Sequence, residues 1–220
     1  MFFNQHFQDE EPLPASGSRL FFRILGQEAP AVLKLNLLFL LCCLPVVTIP
    51  PALLALWQVE RRMVEDRVVR SWRHYWDAFR QSWKRSYGAF ALTALPMAAG
   101  SYGAWFYLRL AEANPLCYVP FMFCAVVLFG TLLSSSYLYG LLAADRPLTK
   151  ETILLAVKLG LGKPLRAILA ALSWYGATAV GILWFPLSGL WLLLAGFSLP
   201  CLLSQFLIRD FLKRFGSLDS

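Results

Sequence analysis

Four stretches of this chain contain no charged residue at all: 35–59, 86–108, 113–144 and 167–208. A soluble domain keeps about a quarter of its residues charged. Here only 15% are charged, gathered into short blocks between the apolar stretches, while hydrophobic residues reach 58%. That is more apolar surface than a core of this size can hide, so lipid is the expected solvent for much of it. A spanning helix takes roughly 20 apolar residues. The second and third stretches therefore hold one span each. The last is long enough for two, with Pro186-Leu187-Ser188-Gly189 supplying turn chemistry at its middle.

The first stretch is interrupted by prolines. Proline removes a backbone donor and clashes with the preceding turn, so Pro45, Thr48, Pro50 and Pro51 are expected to form the turn of a tight helical hairpin. Pro51 suits the first turn of the returning helix. The fold class that follows is all-α and polytopic, with about six transmembrane helices, at 30–49, 51–69, 87–108, 117–143, 166–185 and 190–208. A re-entrant or interfacial helix has a pattern similar to that of 51–69. Residues 1–29 form an amino-terminal segment, 30–214 a single membrane domain and 215–220 a tail.

With these spans the cations sort almost completely. Nineteen of the twenty lysines and arginines fall on one side, in blocks around 19–34, 61–85, 146–166 and 209–214, and only Arg109 falls on the other. The positive-inside rule makes the crowded side cytoplasmic, with both termini in a plasma-membrane setting. The net charge of +7 then needs no nucleic acid, because cations beside membrane helices set orientation and meet anionic headgroups. Acidic Asp9, Glu10 and Glu11 stand where a secretory signal carries positive charge, so the first span is expected to be retained. Cys42, Cys43, Cys117, Cys124 and Cys201 lack CxxC spacing and histidine neighbours and read as small apolar fillers.

Two segments are expected to be helical without spanning. Within 71–86, Trp72, Trp76, Phe79 and Trp83 recur at helical spacing, followed by Tyr87, and Arg73, His74, Asp77, Arg80, Lys84 and Arg85 lie off that stripe. Such a helix lies in the cytoplasmic headgroup layer, with Trp76, Trp83, Arg73, Arg80, Lys84 and Arg85 as the face for lipid or a docking partner. A weaker stripe, Ile153, Leu154, Val157 and Leu161, marks 149–162. An offset that aligns Arg80 with Lys158, Arg85 with Lys163 and Ala89 with Ala167 points to a duplicated unit, 71–143 and 149–208.

Little in the chain favours catalysis. The only histidines, His6 and His74, stand outside any HExxH pattern, and Gly160-Leu161-Gly162-Lys163 runs into Pro164 where a phosphate loop needs a hydroxyl residue. No catalytic, cofactor or metal residue is assigned and no enzyme activity is expected. The charged run Glu60, Arg61, Arg62, Glu65 and Asp66 reads as the cytoplasmic extension of the second span. Ser134, Ser135 and Ser136 stand within the fourth span, either lining a polar path or bonding carbonyls one turn back and letting helices approach. Gly100 and Gly103 offer a small-residue contact face in the third.

The run from Leu35 through Leu44-Pro45-Val46-Val47-Thr48-Ile49-Pro50 to Leu53 resembles the signature of the YesL-like bacterial membrane proteins, domain of unknown function 624. The Met1-Phe2-Phe3-Asn4 start and the aromatic-basic segment 71–85 are similar to that family too, and Pro50 stands where it usually has glycine. The family has no assigned activity. Its members are often encoded beside ABC-type carbohydrate-uptake systems, so the resemblance implies a non-enzymatic accessory whose partners are the bilayer and ABC-type sugar transporter components. The alternative is a small permease or channel with its polar path near the fourth span.

Overall fold

Helix α2, Ile49–Val64, is enclosed by the rest of the chain. In the computed structural model, which describes residues 18–65, 71–112, 114–162, 164–184 and 188–216, every regular element is helical. Helix α1 (Ser18–Cys43) leads through a 3-10 turn at Val46–Thr48 into α2, followed by α3 (Ser71–Gln81) and α4 (Trp83–Ala111). Helices α5 (Tyr118–Ala143) and α6 (Lys150–Gly162) come next. Then α7 (Pro164–Ala171) runs through a π turn, Leu172–Gly176, into α8 (Ala177–Leu183), and α9 (Gly189–Leu194) and α10 (Ser198–Gly216) close the bundle. The expectations for residues 1–17, Arg67, Arg70, Lys163, Pro186 and 217–220 lie outside the described residues.

The proline turn is built from local chemistry. Thr48 donates its hydroxyl to the carbonyls of Cys42 and Pro45, closing the bend after α1, and Pro50 and Pro51 occupy the first turn of α2, where a missing N–H costs nothing. From Pro50 to Glu60 every α2 residue is buried, the pattern of a helix apolar on all its faces. Trp57 sits at its centre, with ring contacts to Tyr139 of α5 at 5.7 Å and to Trp174 at 6.1 Å.

The hairpin turn does not lie at the far end of α4. Tyr87, in the second turn of α4, donates its hydroxyl to the Val47 carbonyl. Arg85 pairs with Asp145 just beyond α5 at 2.7 Å, and Gln58 of α2 donates to the same carboxylate. Arg61 reaches the Gly140 carbonyl at 2.9 Å. Both ends of α2 therefore lie against one end of the α4–α5 pair, where a span over 51–69 antiparallel to 87–108 would separate its ends by the thickness of a bilayer.

Helices α4 and α5 approach closely because Gly100 and Gly103 make room. A Cβ on Gly100 would stand 3.3 Å from the Cys124 carbonyl oxygen, and one on Gly103 would stand 2.7 Å from the Cys124 sulfur. The first part of α5 then projects apolar side chains outward, with Val119 and Phe123 each 71% exposed. Leu33, Leu37 and Leu41 form an exposed stripe on α1, opposite buried Val32, Leu35, Asn36 and Phe39. Two helical segments, Pro115–Ala143 and Pro164–Leu183, are long and apolar enough to cross a membrane. Exposed apolar surface on this scale points to association with lipid.

Helix α6, over the segment expected as the second interfacial helix, packs on α5. It lies along α5 through Thr152, Ala156 and Gly160, all buried, with Leu154 and Leu161 exposed. The reason is steric: the missing side chain of Gly160 lets α6 reach the α5 backbone, where an added Cβ would meet the Leu133 carbonyl oxygen at 3.1 Å. The two proposed repeat units also differ in form, since α4 is continuous whereas 164–183 passes through a π turn.

Candidate functional site

The last helical segment is broken at Ala195–Phe197, between α9 and α10. A broken helix leaves carbonyls at one stub and N–H groups at the other without partners. Buried Asn36 of α1 supplies both. Its amide nitrogen donates to the Leu192 and Leu193 carbonyls at 2.8 and 2.7 Å, and its amide oxygen accepts from the Phe197 and Ser198 N–H groups at 3.0 and 3.1 Å. One side chain thus uses its full bonding capacity to hold the break open.

Directly beside it lies Glu60 of α2, fully buried. Its Oε1 accepts the Ser198 hydroxyl at 2.6 Å, and the Cys201 thiol is in hydrogen-bond contact with the carboxyl. Its Oε2 has no partner. About two turns further along α10 from Ser198, buried Ser204 donates to the Ala170 carbonyl and buried Gln205 to the Trp57 carbonyl. Asn36, Glu60, Ser198 and Gln205 therefore form a polar seam where α1, α2 and α10 meet. Reading 60–66 as a solvated extension of the second span missed it, because Glu60 faces the opposite way from Arg62. The one available signal was spacing: Glu60 falls in step with Leu53, Leu56 and Trp57 on a helix whose apolar run reaches Val59.

The three serines of α5 separate. Ser134 and Ser135 line a groove of about 280 Å³ between α4, α5 and α6, together with Thr93 and Thr131. Their hydroxyls turn back to their own helix: Thr131 to Val127, Ser134 to Gly130 and Ser135 to Leu132. Ser135 also accepts the Tyr175 hydroxyl at 3.0 Å. Ser136 is buried outside the groove. The groove wall is consequently more apolar than its residue names imply, with Leu92, Val126, Ile153 and Val157 making up much of the rest.

The amphipathic helix α3 is two-faced. Tyr75, Ala78 and Phe79 are buried, and Tyr75 bonds the Ala52 carbonyl of α2. Burial pushes the Tyr75 phenol well above its ordinary pKa, which keeps that hydroxyl a donor. Outward stand Trp72 and Trp76 of α3 and Trp83 in the first turn of α4, at 68%, 40% and 39% exposure, with Arg73 and Arg80 of α3 and Lys84 of α4 exposed among them. Arg80 caps the Trp76 ring at 5.3 Å, and Trp76 stacks on Phe79 at 5.5 Å. Arg85 does not join this surface, because its guanidinium is turned inward to Asp145.

No curated protein and no solved structure matches the chain. The family model described as "Protein of unknown function, DUF624" matches residues 32–100. That stretch runs from α1 through the proline turn, α2 and α3 into α4, and so contains Asn36, Glu60 and the outward face of α3. Over those residues the chain is similar to the DUF624 family.

Proposed function

We propose that this chain is a multi-pass plasma-membrane protein with both termini in the cytoplasm, acting by contact rather than catalysis as an accessory to bacterial carbohydrate uptake. Six helical segments are membrane-embedded in this reading, the first two as a hairpin whose ends and turn all stay on the cytoplasmic side. A hairpin of that kind keeps the nineteen cations on one face, as the positive-inside rule requires. The observation that carries the reading is the outward face of α3 and the first turn of α4. Three exposed tryptophans and three exposed cations are fixed to a buried anchor, so the surface is presented at little conformational cost to headgroups or to an ABC-type transporter component.

Charge reversal tests it. Replacing Arg73, Arg80 and Lys84 together by glutamate is expected to abolish copurification of transporter components with the tagged protein while leaving the amount inserted in the membrane unchanged. A fall in insertion with copurification intact would reduce the helix to a topology determinant. The alternative, a small permease or channel, has the α4–α5–α6 groove in its favour. Hydroxyls already bonded to their own helices weigh against a hydrated path there. Solute movement into liposomes by the purified chain alone would reverse the preference.

A further inference from the structure

We infer that Glu60 is a proton-binding site, its carboxyl protonated while α2 is seated against α10 and its deprotonation the event that separates them. The argument starts from what surrounds the group. Glu60 is fully buried, and among the described residues it forms no ion pair. On its own helix, Arg61 is committed to Glu65 at 2.7 Å and to the Gly140 carbonyl, and Arg62 is exposed. From α1, Lys34 is exposed; from α3, Tyr75 bonds Ala52, two turns away. At the α4 and α5 ends, Arg85 and Asp145 neutralise each other, and Tyr139 of α5 bonds Thr93. What faces the carboxyl from α10 is uncharged: the Ser198 hydroxyl and the Cys201 thiol.

The amino-terminal end of α10 would ordinarily stabilise an anion through its free N–H groups. Those of Phe197 and Ser198 are already spent on the Asn36 amide oxygen. A carboxylate at this position would therefore rest on one hydroxyl, one weak thiol donor and a second oxygen with no partner at all. The neutral acid removes the charge and leaves Oε1 free to accept from Ser198, with the proton on Oε2. When Oε2–H yields its proton to water, the negative charge must find solvent, and the contact nearest to it is the Ser198–Cys201 segment just after the break. The seam between α2 and α10 is thus the part of the bundle that a proton holds shut.

The test uses the full chain, purified in a detergent without ester groups. Infrared difference spectra at neutral pH are expected to show the C=O stretch of a protonated carboxyl that is lost in Glu60→Gln, retained in Glu65→Gln and shifted in Glu60→Asp. Absence of a Glu60-dependent carboxyl band at neutral pH overturns the assignment. Amide hydrogen exchange over 198–208, corrected for its intrinsic pH dependence, is expected to rise several-fold at alkaline pH in the native chain and to stay flat in Glu60→Gln. Protection that ignores pH in the native chain overturns the link between the proton and the seam.

Discussion

At the scale of single residues, Asn36 carries the heaviest structural duty. Replacing it by alanine removes the partner of two N–H groups and two carbonyls at the α9–α10 break, all of them at least partly buried. Each unsatisfied group costs on the order of 1 to 3 kcal/mol, and relaxation of the stubs recovers part of it, so a net loss of about 3 kcal/mol is expected. A lowered thermal midpoint of the detergent-solubilised chain, with helical content intact before melting, is the measurement. This residue shows where the sequence is silent. Asn36 sits in an apolar run, and nothing within a few positions of it announces a partner more than 150 residues away. Glu60 was hidden for a related reason: it opens a charged run, and local pattern assigns the run one environment, whereas α10 claims its first member alone. By contrast, Thr48 and the prolines act on neighbours a few positions off, so their part in the turn can be reasoned from the sequence.

At the scale of elements, the helical character and the DUF624 resemblance were legible because both are written in contiguous stretches: long uncharged runs for the first, the Leu35–Leu53 run for the second. Depth and inclination were not. The stripe Ile153, Leu154, Val157 and Leu161 has the spacing of a surface helix, yet α6 takes its contact face from the smaller residues Thr152, Ala156 and Gly160. A hydrophobicity pattern ranks large apolar side chains first, whereas close approach between helices is decided by small ones. The consequence is testable. Gly160→Val puts branched carbons where even a Cβ stands 3.1 Å from Leu133 and Ser134 backbone atoms, and is expected to destabilise the α5–α6 contact by about 1 to 3 kcal/mol. Limited proteolysis in the 144–150 connection should speed up accordingly. Gly162→Ala, with nothing within 4 Å of the added carbon, should leave cleavage unchanged.

At the scale of the whole molecule, the question is how the α1–α2 hairpin meets the bilayer. Charge sorting constrains only parity: a hairpin that crosses twice and one that returns to its own side place 19–34 and 61–85 on the same face. Contacts favour the second. Val47 touches Tyr87 at the start of α4, Gln58 and Arg85 share Asp145 after α5, and Leu116 lies exposed at the opposite end of that helical pair. Helix α4 has 29 residues, which at about 1.5 Å per residue exceeds the roughly 30 Å of hydrocarbon, and in the proposed six-segment reading its two ends face opposite solutions. In a background with Cys42, Cys43, Cys117, Cys124 and Cys201 replaced by serine or alanine, Val46→Cys is expected to react with an impermeant maleimide only in inverted vesicles. Lys84→Cys should behave the same way, and Leu116→Cys should react only in intact cells. Labelling of position 46 from outside would restore two full crossings before α3. It would also require the Tyr87–Val47 contact to be absent in the membrane, since no side chain of that size reaches from one face to the other.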